Sequence, residues 1–476
     1  MAEHSMSLPV SPSLPPLLAA LCSLLAAHRP AFRQERPFQR MRALAFAHLF
    51  AFARHTVTQA LLALGLTDSD WSAWYRLFSA PRFAYDTLTR CFLRETLAHL
   101  PAPAPYVTVV DGVQIPRHSR TMPGTAWLKH PETPPFKPGP HRAQRFVHLA
   151  ALLPVEHGYS RALPLRFAPA FPPKAVPAPS PPRREWEAAL AEMGWLRGEL
   201  DAAGRQEQPL VVVGDGSYDT APLWAALPTN VTLIARCARN RALFALPSPE
   251  KRRGAPRKYG ERSRTPPEWL HEQTGWSRVS LPVRGREIAL RYRVEGPFVV
   301  KRAAGQPLFL LVVPGVHEQG RRRRRDPAFW LVSAVQVAGE WVMAHPATDV
   351  LAWAWQRWEI EVAHRELKSG FGVGEMQCWN GTATVRSVQW QVWLYAVLVL
   401  AGYRAWGLTR GTLRPAGRWW AGARRWSLGT LWRGYRREMW GTADFRALWT
   451  GTGGNWEEKA GWLAGLQNAV HLSLRA

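Results

Sequence analysis

Three carboxylates stand where a chain of this kind could do chemistry. Asp111 follows the apolar run YVTVV and Asp215 follows PLVVVG, so each closes a segment with the composition of a strand. At the end of a sheet strand the backbone fixes a side chain while its tip stays reachable. One such aspartate is commonly a turn or cap residue; two in one chain are better evidence of a site. The third carboxylate is Glu361, in the segment LAWAWQRWEIEVAHRELKSGFG. Arg357 precedes it by four residues, His364 follows by three and Lys368 by seven, and on a helix these positions share one face. Ile360, Val362 and Leu367 fall on other faces and can anchor that helix in a core. Asp111, Asp215 and Glu361, brought together from two strand ends and a helix, can hold two divalent cations, because Mg²⁺ or Mn²⁺ prefers hard oxygen ligands. Two such ions beside a phosphodiester activate the attacking oxygen and stabilise the leaving one.

The elements that must position these residues alternate in an informative order. Up to about residue 100, apolar residues recur at three- and four-residue spacing, which predicts a small helical bundle. After the break PAPAP the period changes to that of strands in YVTVVDGVQIPR, AQRFVHLAALLPV and RALPLRFAP. A Pro-rich stretch leads into a helix from roughly Arg184 to Ala203, then the strand PLVVVGD, a short helix near APLWAAL and the strand VTLIARC. The order βββαβαβ predicts a mixed sheet covered by helices, the order of the RNase H-like fold. The interval between Asp215 and Glu361 is too long for a simple connection and contains further apolar β runs, so a β-rich insertion is expected there. The expected parts are 1–100, an N-terminal helical region suited to DNA binding; 101–237, the first part of the catalytic core; 238–350, the insertion; 351–380, the final core helix; and 381–476, a C-terminal helical region suited to dimerisation or DNA contact.

The whole chain of 476 residues has 61 Lys and Arg against 35 Asp and Glu, a net charge of +26, which points to a polyanionic partner, nucleic acid first. Its 47% hydrophobic content excludes a disordered tail. The four cysteines, Cys22, Cys91, Cys237 and Cys378, form no CxxC pair, which argues against a zinc knuckle or a disulfide framework and for a reducing cytoplasm. Two apolar stretches, LPPLLAALCSLLAAH and WQVWLYAVLVLAGYRAW, fall short of the ~20 residues a spanning helix needs and read as buried helices, so no membrane role is expected. RRRRRD from Arg321 and KRRGAPRK from Lys251 concentrate positive charge suited to phosphate contacts.

In these residues the chain resembles the DDE transposases of bacterial insertion sequences, in the cut-and-paste branch with a Tyr-x2-Arg-x3-Glu-x6-Lys signature. RWEIEVAHRELK supplies Arg357, Glu361 and Lys368 at the required spacing, while Ala354 stands at the tyrosine position. VVDGVQIPR and VVVGDGSYD resemble the two aspartate motifs, and ARCARNRALFALP with GAPRKYG resembles the basic segment after the second; the likeness covers roughly residues 105–380.

The resemblance implies an α/β, RNase H-like catalytic core with a β-rich insertion, and a transposase that cuts transposon ends and joins the freed 3′-hydroxyl to target DNA. It implies Asp111, Asp215 and Glu361 as catalytic ligands of two Mg²⁺ or Mn²⁺ ions. Arg357, Lys368, His364, Arg117 and Arg120 are expected on DNA, with His118 and Lys129 beside the entry route. The expected partners are transposon-end DNA, target DNA and a second copy of the chain in the DNA complex, in a bacterial cytoplasm and on the nucleoid when bound. A related nuclease without strand transfer, or a DNA-binding protein with an idle centre, are the alternatives, and charge alone does not separate the three.

Overall fold

The structure is a computed structural model that describes residues 14–51, 54–131, 133–134, 136–156, 158–247, 257–315, 326–408 and 425–440. The arginine run from Arg321, the first six residues of the loop from Lys251, Arg424 and everything beyond 440 lie outside the described residues. The chain forms two compact units, one of 1–75 with 397–476 and one of 76–396.

The first unit is helical. Helices α1 (Pro16–Ala27), α2 (Glu35–Phe50) and α3 (Val57–Ala63) bury Leu17, Leu21, Leu24, Met41, Leu44 and Leu61, which recur at the spacing of one helical face. Pro sits at the start of α1, and the free N–H groups of Leu17 and Leu18 are satisfied by the Glu438 carboxylate, at 3.3 and 2.9 Å. Glu438 belongs to the last described helix of the chain, Leu428–Trp440, where Arg436 donates to the Leu49 carbonyl.

The second unit begins with the end of α4 (Ser72–Ser79) and α5 (Tyr85–Leu97), and its centre is one mixed sheet. Strands β1 (Tyr106–Pro116), β3 (Pro140–Glu156) and β4 (Tyr159–Pro169) form an antiparallel meander, with β2 (Ala126–Lys129) also paired to β3, followed by helix α6 (Glu185–Ala202). β5 (Leu210–Gly214), α7 (Ala221–Ala225) and β6 (Val231–Arg236) come next, with β5 parallel to both β1 and β6. All five residues of β5 are buried, as expected for a central parallel strand covered on both faces. The spatial order β4-β3-β1-β5-β6 with helices packed against it is the mixed-sheet core expected from the sequence, and the fold is RNase H-like. β2 is an addition: a short strand beside the start of β3 that the sequence did not single out.

The β-rich segment does not fold apart from this sheet. β7 (Phe244–Ala245), β8 (Ser277–Val283), β9 (Arg286–Val300), β10 (Ala303–Val313), β11 (Ala328–Val337) and β12 (Glu340–Met343) continue it, because β11 pairs antiparallel with β6 at Trp330–Arg236 through Val332–Ile234. Among the described residues the result is twelve strands in one sheet.

The helix expected over 351–369 is three pieces: α8 (Ala347–Gln356), α9 (Trp358–Arg365) and a π-helical turn, Glu366–Gly370. A π turn adds a residue to the helical repeat, and such turns are frequent at functional sites. Helix α10 (Gly381–Trp406) then buries Val388, Trp390 and every residue from Val392 to Ala401, and α11 (Leu428–Trp440) closes the described chain. Among the described residues no helix is long and apolar enough to cross a membrane, and all four cysteines are free thiols.

Candidate active site

The parallel pairing of β1 and β5 puts Val110 beside Gly214, so Asp111 and Asp215, the next residue of each chain segment, emerge as neighbours where β5 ends; Asp215 follows its strand as expected, whereas Asp111 lies in the middle of β1, which runs on to Pro116 because its pairing with β3 continues. Asp215 accepts from the Ser217 backbone N–H at 2.9 Å and from the Ser217 hydroxyl, an arrangement that starts the turn after β5 and holds the carboxylate in place. Asp111 is mostly buried. Burial raises its pKa to about 7, the charge of Asp215 adds to the rise, and Arg357 opposes it; Glu185 adds a further increment. Both the low dielectric and the neighbouring negative charge disfavour ionisation, which is the electrostatic mark of a site lacking positive charge.

Of the three glutamates of the next segment, Glu359, Glu361 and Glu366, Glu361 shares an arginine partner with Asp111. Ile360, Val362, Ala363 and Leu367 are buried and lock α9 against β4 and β1. Glu359 is then buried on the side of Arg284, 3.8 Å away. Glu366 turns to Arg161 at 3.3 Å and takes the Tyr395 hydroxyl at 2.7 Å. Glu361 remains, about one third exposed, and is ion-paired with Arg357. The same guanidinium approaches Asp111 Oδ2 at 3.9 Å, so it lies between the glutamate and the first aspartate.

His364 faces inward as well. Its Nδ1 is 4.0 Å from Asp111 Oδ2, and its Nε2 is 3.0 Å from Nδ1 of His148. Burial drives the pKa of His148 down to about 3 and that of His364 well below its usual range, His148 and the cations Lys368 and Arg357 adding to the latter, so both rings are neutral. The sequence places His364 among expected DNA contacts; in the structure its ring lies between His148 and Asp111.

Arg117, expected along a DNA route, is 3% exposed. It donates to Gln144 at 3.0 Å and to the carbonyls of Gly374 and Met376 at 2.8 and 3.0 Å, tying the segment after the π turn to the end of β1. Arg120, His118, Lys129 and Lys368 are exposed.

Two residues of this neighbourhood escaped the sequence reading. Glu185, the first residue of α6, rests its carboxylate against Gly112, where any Cβ would overlap it, and is 3.3 Å from Arg145. His148 lies directly across the β1–β3 ladder from Asp111. A Pro-rich lead into a helix and one histidine in an apolar strand carry no signal of either position; only strand register brings them in.

Among the described residues no three His, Cys, Asp or Glu side chains form a group that could hold a metal ion as they stand. The donor chemistry nevertheless fits a hard cation. Asp111 and Asp215 are adjacent carboxylates whose mutual repulsion a cation would relieve, and Glu361 is kept from them by a guanidinium that a cation could replace.

A family model described as "DDE superfamily endonuclease" matches residues 27–297, more than half of the chain, including Asp111 and Asp215 and ending before Glu361. No curated protein matches the chain significantly.

Proposed function

Because the chain belongs to the DDE superfamily endonucleases, enzymes that act on phosphodiester bonds, we propose that it is a DNA transposase that cleaves transposon ends and transfers the freed 3′-hydroxyl into target DNA. The observation that carries this reading is the meeting of Asp111, in β1, with Asp215, just past the end of β5, and the Arg357–Glu361 pair facing Asp111. The proposed branch is the bacterial insertion-sequence one with Arg357, Glu361 and Lys368 at signature spacing.

In this reading Asp111, Asp215 and Glu361 would hold divalent ions, Mg²⁺ or Mn²⁺, two per site. Such ions, when bound, lower the barrier by activating the attacking oxygen and stabilising the leaving one. The chain's own residues do the rest. Asp111 and Asp215 fix the reacting phosphate's position from rigid strands, as a preorganised site requires. Arg357, once released by Glu361, and Lys368, exposed one turn beyond α9, are cations for the scissile strand's phosphates. Arg120 and Lys129 lie on the exposed surface after β1, suited to guiding DNA inward. In the same reading the region 1–100 serves DNA binding, and 381–476 serves pairing of two protomers or DNA contact. A bacterial cytoplasm, with the protein on the nucleoid when DNA-bound, belongs to the same reading.

Incubation with a labelled end of its own element, Mg²⁺ and a target plasmid tests it. Cleavage with joining is expected. Cleavage alone would make the protein an endonuclease without strand transfer, and binding alone would make it a DNA-binding protein with an idle centre.

A further inference from the structure

The hairpin of β8 and β9 carries two positive charges that its neighbours do not balance. Its inner face is apolar, with Leu281 and Leu290 buried and β8 packed against α8. On the outer face Arg278 of β8 and Arg291 of β9 are directly opposite each other in the ladder, and both are exposed. Like charges placed so repel and destabilise the pairing.

The other charges of that face are matched. Arg293 is buried, 5.1 and 5.6 Å from the ring centres of Trp269 and Trp276, and is ion-paired with Glu295. Glu287 accepts from the Ser280 hydroxyl at 2.6 Å. Arg278 and Arg291 have no carboxylate partner among the described residues. Arg291 is laid over Trp276 instead, 5.1 Å from the ring centre. A guanidinium held on an aromatic face keeps its in-plane N–H groups free for an oxyanion.

We propose that Arg278 and Arg291 form a clamp for the phosphate backbone of duplex DNA, outside the carboxylate centre and independent of sequence. The pair repels itself in the free protein and is set for an anion, and the chain's charge of +26 suits a polyanion. The hairpin also leads to the candidate centre. Arg284, at its tip, is 3.8 Å from Glu359 on α9, the helix that carries Glu361. Arg278 is six positions back along the strand from Arg284, roughly 20 Å at about 3.4 Å per residue. That is about six base-pair steps of a duplex lying along the hairpin. The clamp rests on the reading of the chain as an enzyme acting on DNA, and adds to it a contact away from the cut.

Fluorescence anisotropy of the full chain with a short duplex of arbitrary sequence, without metal and over a series of salt concentrations, tests the clamp. Replacing both arginines by Ala is expected to reduce the slope of log affinity against log salt by about two, one for each lost phosphate contact, and equally on unrelated sequences. Arg278→Glu turns the repelling pair into an attracting one, so the thermal midpoint without DNA should rise while DNA affinity falls. A purely structural pair would not move the two in opposite directions. An unchanged slope in the double variant would overturn the proposal, and so would a loss confined to one sequence. If the double variant does not fold, Arg278→Glu decides, and wild-type DNA affinity in it would overturn the proposal. Failure of the joining assay together with a reduced slope would refute the transposase reading and keep the clamp; joining with an unchanged slope would do the reverse.

Discussion

At the scale of single residues, Asp111 is the most informative group, because its environment makes a statement about pH. Its folded pKa of about 7 lies above the ordinary carboxylate value. Between those values the folded protein binds a proton that the unfolded chain has released, so stability without metal falls as pH rises from about 4 to 7. Asp111→Asn should therefore stabilise the metal-free protein at pH 8 by on the order of 2–4 kcal/mol. The urea midpoint at pH 5 and pH 8 checks this; an equal change at both would show that the carboxylate is not strained. Activity should move the other way. Asp111→Ala, Asp215→Ala or Glu361→Ala should reduce cleavage by at least about a hundredfold, the scale of one lost electrostatic group at a reacting centre, with end binding kept. Normal cutting by Asp215→Ala in Mg²⁺ would remove it from the site.

At the scale of elements, the strand ends and α9 have to be held in register with each other, and Arg117 is one of the ties. Its guanidinium serves Gln144 and two carbonyls of the segment after the π turn. Arg117→Met keeps the apolar stem and leaves both carbonyls unmet, so a loss of roughly 3 kcal/mol is expected in denaturant titration. The salt slope of DNA binding should stay as it is, because the side chain is inside the protein. Lys368 sits on the π turn and is exposed. Lys368→Ala should weaken end binding and reduce the salt slope by about one. An unchanged slope would take Lys368 off the phosphate backbone.

At the scale of the whole molecule, the charge of +26 governs assembly. In the proposed reading, insertion of two ends into one target needs two sets of carboxylates, and one chain supplies the single proposed set Asp111, Asp215 and Glu361. The described part of the C-terminal region is rich in aromatic residues, which favour interface cores, yet it also carries Arg425, Arg433, Arg436 and Arg437. Like charges on two approaching copies repel. The free protein is therefore expected to be monomeric or weakly dimeric, with DNA supplying the charge that permits pairing. Light scattering with and without end DNA measures it, and a stable dimer at moderate salt without DNA would reverse the order of assembly.

The fold class was legible in the sequence, and so was the placing of Asp111 and Asp215 on neighbouring strands, because both are written in local patterns. Runs such as YVTVV and PLVVVG make strands wherever they lie, the change from helical to alternating period marks the core, and Arg357 and Glu361 meet because they are one turn apart on a helix. What local pattern does not encode is which distant faces meet. Three glutamates share the segment 359–366, and burial of Ile360 and Leu367 against the sheet decides that Glu361 pairs with the Arg357 guanidinium that also approaches Asp111. The same long-range packing drew Arg117 inside, continued the β-rich segment into the main sheet through β6 and β11, and set His148 opposite Asp111. Strand register and side-chain burial are properties of pairs far apart in the chain, so only the tertiary structure could decide them.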